Sequence, residues 1–274
     1  MAVSYSDVKR VARTKDRIIG RAQSELGKEL RDKTNILDKV LGIIDKYGTQ
    51  TQEVGAQWYE YTASEAGVDV PRAQINRIDP EDYAPHVEDL IASWENGELS
   101  DEELDYELEE YVGETLIGMS RDVVFDNMRA NGRADYRISG GEARIRYARI
   151  PVGETCAWCI MLASLGPWYL SYETAKFSGL TGDTFHPHCD CEVVPYSNLD
   201  DIDGYDETLE TYRDMYYDAR SRVENGDYSD EFKTRMDNAE DKHNERYEDG
   251  ETDRKWRWYT NATLMMMRDL YGLH

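Results

Sequence analysis

Cys156-Ala157-Trp158-Cys159, followed after a gap by His186-Pro187-His188-Cys189-Asp190-Cys191, contains all four cysteines of the chain. A Cys-x-x-Cys turn aims two sulfurs the same way, and a second knuckle from a later loop completes a tetrahedron around one zinc ion. His186 stands three residues before Cys189, so both reach the same ion. Cys156, Cys159 and Cys189 are the first expected ligands. His186 and Cys191 compete for the fourth place, and His188 is a weaker candidate. One structural zinc per chain is therefore expected, bracing a small core.

Other readings of these cysteines stand beside that one. Two disulfides are disfavoured in a reducing compartment. Buried thiols can pack as small apolar side chains. A redox-active Cys156–Cys159 pair lacks the surrounding βαβ pattern. A catalytic zinc of the deaminase type needs a His-x-Glu and a later Pro-Cys-x-x-Cys. His86-Val87-Glu88 supplies the first, but Thr155 precedes Cys156 and the two elements lie far apart. The chain has no His-Glu-x-x-His, Walker loop, Gly-x-Gly-x-x-Gly or Gly-x-Ser-x-Gly. No catalytic residue is assigned, and a non-enzymatic protein is expected. A zinc-dependent nuclease, deaminase or peptidase is the alternative.

Working outward, Ala143, Ile145 and Tyr147 alternate with Arg144, Arg146 and Ala148, the pattern of a strand with one polar face. Glu192 to Val194 reads as a second strand. Cys156–Leu165 reads as a short helix stopped by Gly166-Pro167, Tyr169–Tyr172 as a short strand and Glu173–Phe177 as a helical turn. On both sides the period becomes helical. Upstream, helices are predicted from Ser4 to Leu30, Asn35 to Lys46 (ending near Gly48) and Thr51 to Ala66, then two more separated by Asn96-Gly97. Downstream they run from Glu207 to Asn225, Ser229 to Glu248 and Asp253 to Tyr271. On the last, Trp256, Tyr259, Thr263, Met267 and Leu270 form an apolar stripe for docking or core packing. The fold class is α+β and mostly helical: an N-terminal helical region (1–133), a zinc-braced α+β core (134–200) and an acidic helical C-terminal region (201–274).

The 274 residues include 56 acidic and 32 basic ones, a net charge of -24. Such a surface repels phosphate backbones, so no strong nucleic-acid binding is expected. Arg144, Arg146 and Arg149 stand out as a basic cluster, suited to an acidic partner or to the chain's own surplus carboxylates. No apolar run is long enough to span a membrane, and Met1 to Arg13 lacks the apolar centre of a signal peptide. A cytosolic site of synthesis is expected.

Several of these residues agree at once with one family. Arg149-Ile-Pro151, Glu154-Thr-Cys-Ala-Trp-Cys159, Met161-Leu-Ala-Ser164, Gly166, Phe185-His186-x-x-Cys189-Asp-Cys191 and Pro195 resemble the phage Mu F-like minor head (head morphogenesis) proteins. Tyr47-Gly48, Trp58-Tyr59 and Ala66-Gly67-Val68 look like the helical lead-in of that family, so the resemblance covers about residues 35 to 200. It implies a structural head protein present in few copies near the portal vertex. The implied partners are the portal or major capsid protein, with scaffold as a further candidate. The implied location is the virion head interior or portal vertex, with host cytoplasm during assembly.

Overall fold

Helical periodicity dominates the chain, and the computed structural model is mostly helical. It describes residues 3–65, 67, 69–131, 146–153, 155–166, 191–196, 203–248 and 257–273. The chain divides into two compact units, Met1–Arg144 and Ile145–His274.

The first unit contains α1 (Tyr5–Glu29), α2 (Ile36–Glu65), a 3-10 turn (Pro80–Tyr83), α3 (Ala84–Glu95) and α4 (Asp101–Asn131). Ser4 starts α1 through a capping box, in which its side chain accepts the Asp7 N–H and Asp7 accepts the Ser4 N–H. Val8, Ala12, Ile18, Ala22 and Leu26 then recur at helical spacing and form a buried stripe. That stripe packs on α2 and α4 in a core that includes Val40, Ile44, Leu104, Leu108, Val112 and Leu116.

The stop predicted at Gly48 does not occur, and α2 runs through it. A Cβ at Gly48 would strike Ile78 and the Met119 sulfur; one at Gly55 would strike the Ser120 carbonyl oxygen. Seven residues apart, these two glycines share a face of α2 and let α4 approach closely. Their small size serves packing. The turn at Gly97, with φ +76°, does separate α3 from α4 as its sequence predicts. Between α2 and α3 the chain is pinned to neighbouring helices. Gln74 exchanges two hydrogen bonds with Asn127, each 2.8 Å, and the Ala73 N–H donates to Glu60.

Two polar clamps tie the antiparallel α1 and α2 together. The Tyr61 hydroxyl donates to Asp7 (2.7 Å), and Lys46 and Tyr47 donate to Glu25. Burial raises the Asp7 carboxyl. Hydrogen bonds from the Ser4 hydroxyl, Tyr61 and the Ser4 backbone, with the Arg10 charge, outweigh it and hold Asp7 below its ordinary 3.8. Glu109 on α4 goes the other way: burial first, then Asp105 and Glu110, hold it above its ordinary 4.5.

The second unit contains β1 (Arg146–Ile150), α5 (Ala157–Ala163), β2 (Glu192–Tyr196), α6 (Asp206–Asn225), α7 (Asp230–Glu248) and α8 (Trp258–Tyr271). β1 and β2 are antiparallel, with Arg146 opposite Tyr196 and Ile150 opposite Glu192. Of the polar strand face predicted from alternation, only Ala148 is described; Arg144 and the Arg146 side chain lie outside the described residues. Tyr147, Ala148, Arg149 and Ile150 are all buried, as are Val193 and Val194, so both faces of the ribbon are covered. Ala143–Ile145, Tyr169–Tyr172 and Glu173–Phe177 lie outside the described residues. A helical core joins Ala157, Ile160, Ala219, Val223, Met236 and Met267. The α8 stripe is only partly as predicted. Thr263 and Met267 are buried, but Tyr259 and Leu270 are exposed, and Ala262, Leu264 and Met266 complete the buried face. Trp256 lies outside the described residues.

Gly55→Ala should destabilise the first unit by about 1–3 kcal/mol through overpacking. Gly42→Ala, at an exposed position in α2 where a Cβ meets nothing, should stabilise it by about 1 kcal/mol. Urea unfolding checks both, and equal effects would contradict the close α2–α4 seam. The pH dependence of two further variants has opposite signs. Asp7→Asn should lower stability at neutral pH, with the effect fading as pH falls below 3.8, because a depressed carboxyl stabilises only while ionised. Glu109→Gln should raise stability at neutral pH, with the gain vanishing below 4.5. Unfolding midpoints at neutral and acid pH check these signs.

Candidate functional site

The β1–β2 ladder brings the two ends of the cysteine segment together. Ile150 pairs with Glu192, so Cys191 enters β2 beside the point where the chain leaves β1 toward Cys156. Cys156, Cys159 and Cys191 form one buried cluster, with Trp158 packed against it. No disulfide joins any of these three to another.

Cys156 occupies the N-cap of α5 with extended backbone, φ -73° and ψ 162°. Its sulfur accepts the Cys159 N–H at 3.4 Å, taking the place that a serine or threonine oxygen usually fills. This turn holds the Cys156 and Cys159 sulfurs near each other, as the Cys-x-x-Cys spacing predicts. α5 is buried along its length except at Trp158, which packs against both the cysteine cluster and the helical core. At its other end Arg213 of α6 donates to the Ser164 carbonyl at 3.1 Å, satisfying one of the carbonyls a helix terminus leaves open. Gly166 follows with φ +62°, and a Cβ there would press on Arg213 and Leu209.

Of the expected ligands, the structure brings Cys156, Cys159 and Cys191 together. His186, His188 and Cys189 lie outside the described residues. Among the described residues no group of three or more His, Cys, Asp or Glu side chains is arranged to hold a metal ion. The three clustered sulfurs are donors of the kind zinc selects. His86 belongs to the first unit and its ring packs on Tyr111, with centroids 4.4 Å apart.

Of the basic cluster read at Arg144, Arg146 and Arg149, only the last is described, and it is buried. Arg149 is 1% exposed within β1; Arg144 and the Arg146 side chain lie outside the description. The exposed cations missed by that reading sit on α1, where Arg10, Arg13, Arg17, Arg21 and Lys28 face solvent. Their signal was present as seven basic residues within one 25-residue helix.

Arg213→Met should destabilise the second unit by about 1 kcal/mol, leaving the Ser164 carbonyl without its donor. Thermal unfolding checks it; an unchanged midpoint would show that the cap contributes nothing.

No described helix is long and apolar enough to cross a membrane. No curated protein and no solved structure matches the chain. One family model, described as VG15 protein, matches residues 4–219, a span that includes nearly all of the first unit, the cysteine segment and most of α6. With well over half of its length matched, the chain belongs to the VG15 protein family, a family of phage gene products.

Proposed function

We propose that this protein acts structurally in phage head assembly, as a minor capsid component near the portal. A zinc ion closes its cysteine segment. The observation that supports this most is the buried meeting of Cys156, Cys159 and Cys191, drawn from two distant stretches that also carry the Mu F-like resemblance. The phage family fits the same reading, with a place in the virion or host cytoplasm. One of His186 and Cys189 supplies the fourth donor. A structural zinc is filled by four protein ligands and leaves no position for water, so this site binds and braces. The portal, major capsid and scaffold proteins are the proposed partners.

The purified chain should contain about one zinc, as structural four-ligand sites do. Cys156→Ser and Cys191→Ser should each lose the metal together with the tertiary signal of the second unit. A folded, metal-free wild type would overturn the zinc reading. A tagged chain recovered from infected cells should bring head components with it, and recovery without any of them would overturn the assembly role.

A further inference from the structure

The solvent face of α1 carries Arg10, Arg13, Arg17, Arg21 and Lys28, opposite its buried stripe. The steps are helical, so the cations form a ladder about 27 Å long at 1.5 Å per residue. α1 contains seven basic and four acidic residues, in a chain where acids outnumber bases 56 to 32. Carboxylates are thus abundant, yet the ladder is largely kept clear of them. Arg10 pairs with Asp7 at 2.8 Å. Arg17 donates to the Arg13 carbonyl and the Thr14 hydroxyl. Among the described residues neither Arg13 nor Arg21 has an ion-pair partner. An open groove runs beside Arg17, Gly20, Arg21, Ser24 and Lys28; Glu25 at its edge is held by Lys46 and Tyr47. At Gly20 nothing lies within 4 Å of where a Cβ would sit, so the backbone there is open to close approach.

We propose that this face of α1 binds the phosphate backbone of duplex DNA without reading its sequence. Guanidinium forks match phosphate oxygens two at a time, and a serine hydroxyl and bare backbone are common further contacts. No exposed aromatic side chain lies on the ladder, so nothing there stacks the bases of a single strand. The net charge of -24 opposes binding, but distance weakens that opposition. At about 0.1 M salt, charges beyond about 10 Å are largely screened, whereas arginine–phosphate contacts are not. Binding is therefore local, weak and steeply salt-dependent. It does not rest on the zinc reading.

Fluorescence anisotropy of the full chain with a labelled duplex of about 20 base pairs, between about 50 and 200 mM salt, tests this. The expected log–log slope is about -3 to -4, the value for about four phosphates neutralised. Arg13→Gln, Arg17→Gln and Arg21→Gln should each reduce that slope by about one, and together weaken binding at least about tenfold. Glutamine keeps the helix propensity of these positions, and circular dichroism verifies the fold. Lys233→Gln, on α7, should leave binding unchanged. Absence of duplex binding at the lowest salt, or an unaffected triple variant, would overturn the proposal. So would tighter binding to a single strand. Self-association that the triple variant loses, without any DNA binding, would assign the ladder to the acidic face of a second copy instead.

Discussion

The pairing of β1 with β2 is the constraint on which the second unit depends, because it closes a long loop with very little sheet. Holding the ends of a loop of about forty residues together costs about 3 kcal/mol in chain entropy. Two strands of five residues do not hold themselves together in water. Help comes from burial of both ribbon faces and from α5, which lies between ladder and helices. Trp158 touches the cysteine cluster and the helical core alike. The proposed zinc would act at the mouth of this loop, tying the turn after β1 to the residues just before β2. There a ligand–metal bond adds folding free energy directly.

Charge is sorted in the first unit. α4 carries ten acidic and two basic residues, with Asp101, Glu102 and Glu103 in its first turn, where the helix dipole favours them. Ser100 and Glu103 exchange the hydrogen bonds of a capping box there. α1 carries the opposite excess on its outer face. Burial then penalises a few acids, Glu109 above all, while Asp7 and Glu25 clamp helices. A single net charge for the chain conceals this division.

The long helices of both units were legible, since capping residues and apolar spacing agree over many turns: Ser4 with Asp7 opens α1, and Gly226 in a left-handed conformation ends α6. Gly48 misled because glycine serves two purposes, and only the nearness of Ile78 and Met119 distinguishes close packing from a stop. Burial of Arg149 within β1 was not legible, because a cation on a short strand reads as solvent-facing until the neighbouring layers are known. The meeting of Cys156, Cys159 and Cys191 was legible, since the spacing of the segment is chemical. The choice between His186 and Cys191 was not, because both are competent zinc donors within reach by sequence. The α1 ladder escaped because basic residues three and four apart look scattered in the chain and become one surface only on a helix.

Amide hydrogen exchange, measured before and after removal of metal by a chelator, tests the loop closure most directly. Ala148, Ile150, Val193 and Val194 should lose protection on chelation, while α1, α2 and α4 keep theirs. Unchanged protection of the ladder in metal-free protein would contradict the claim that a metal at the cysteine cluster holds the loop closed.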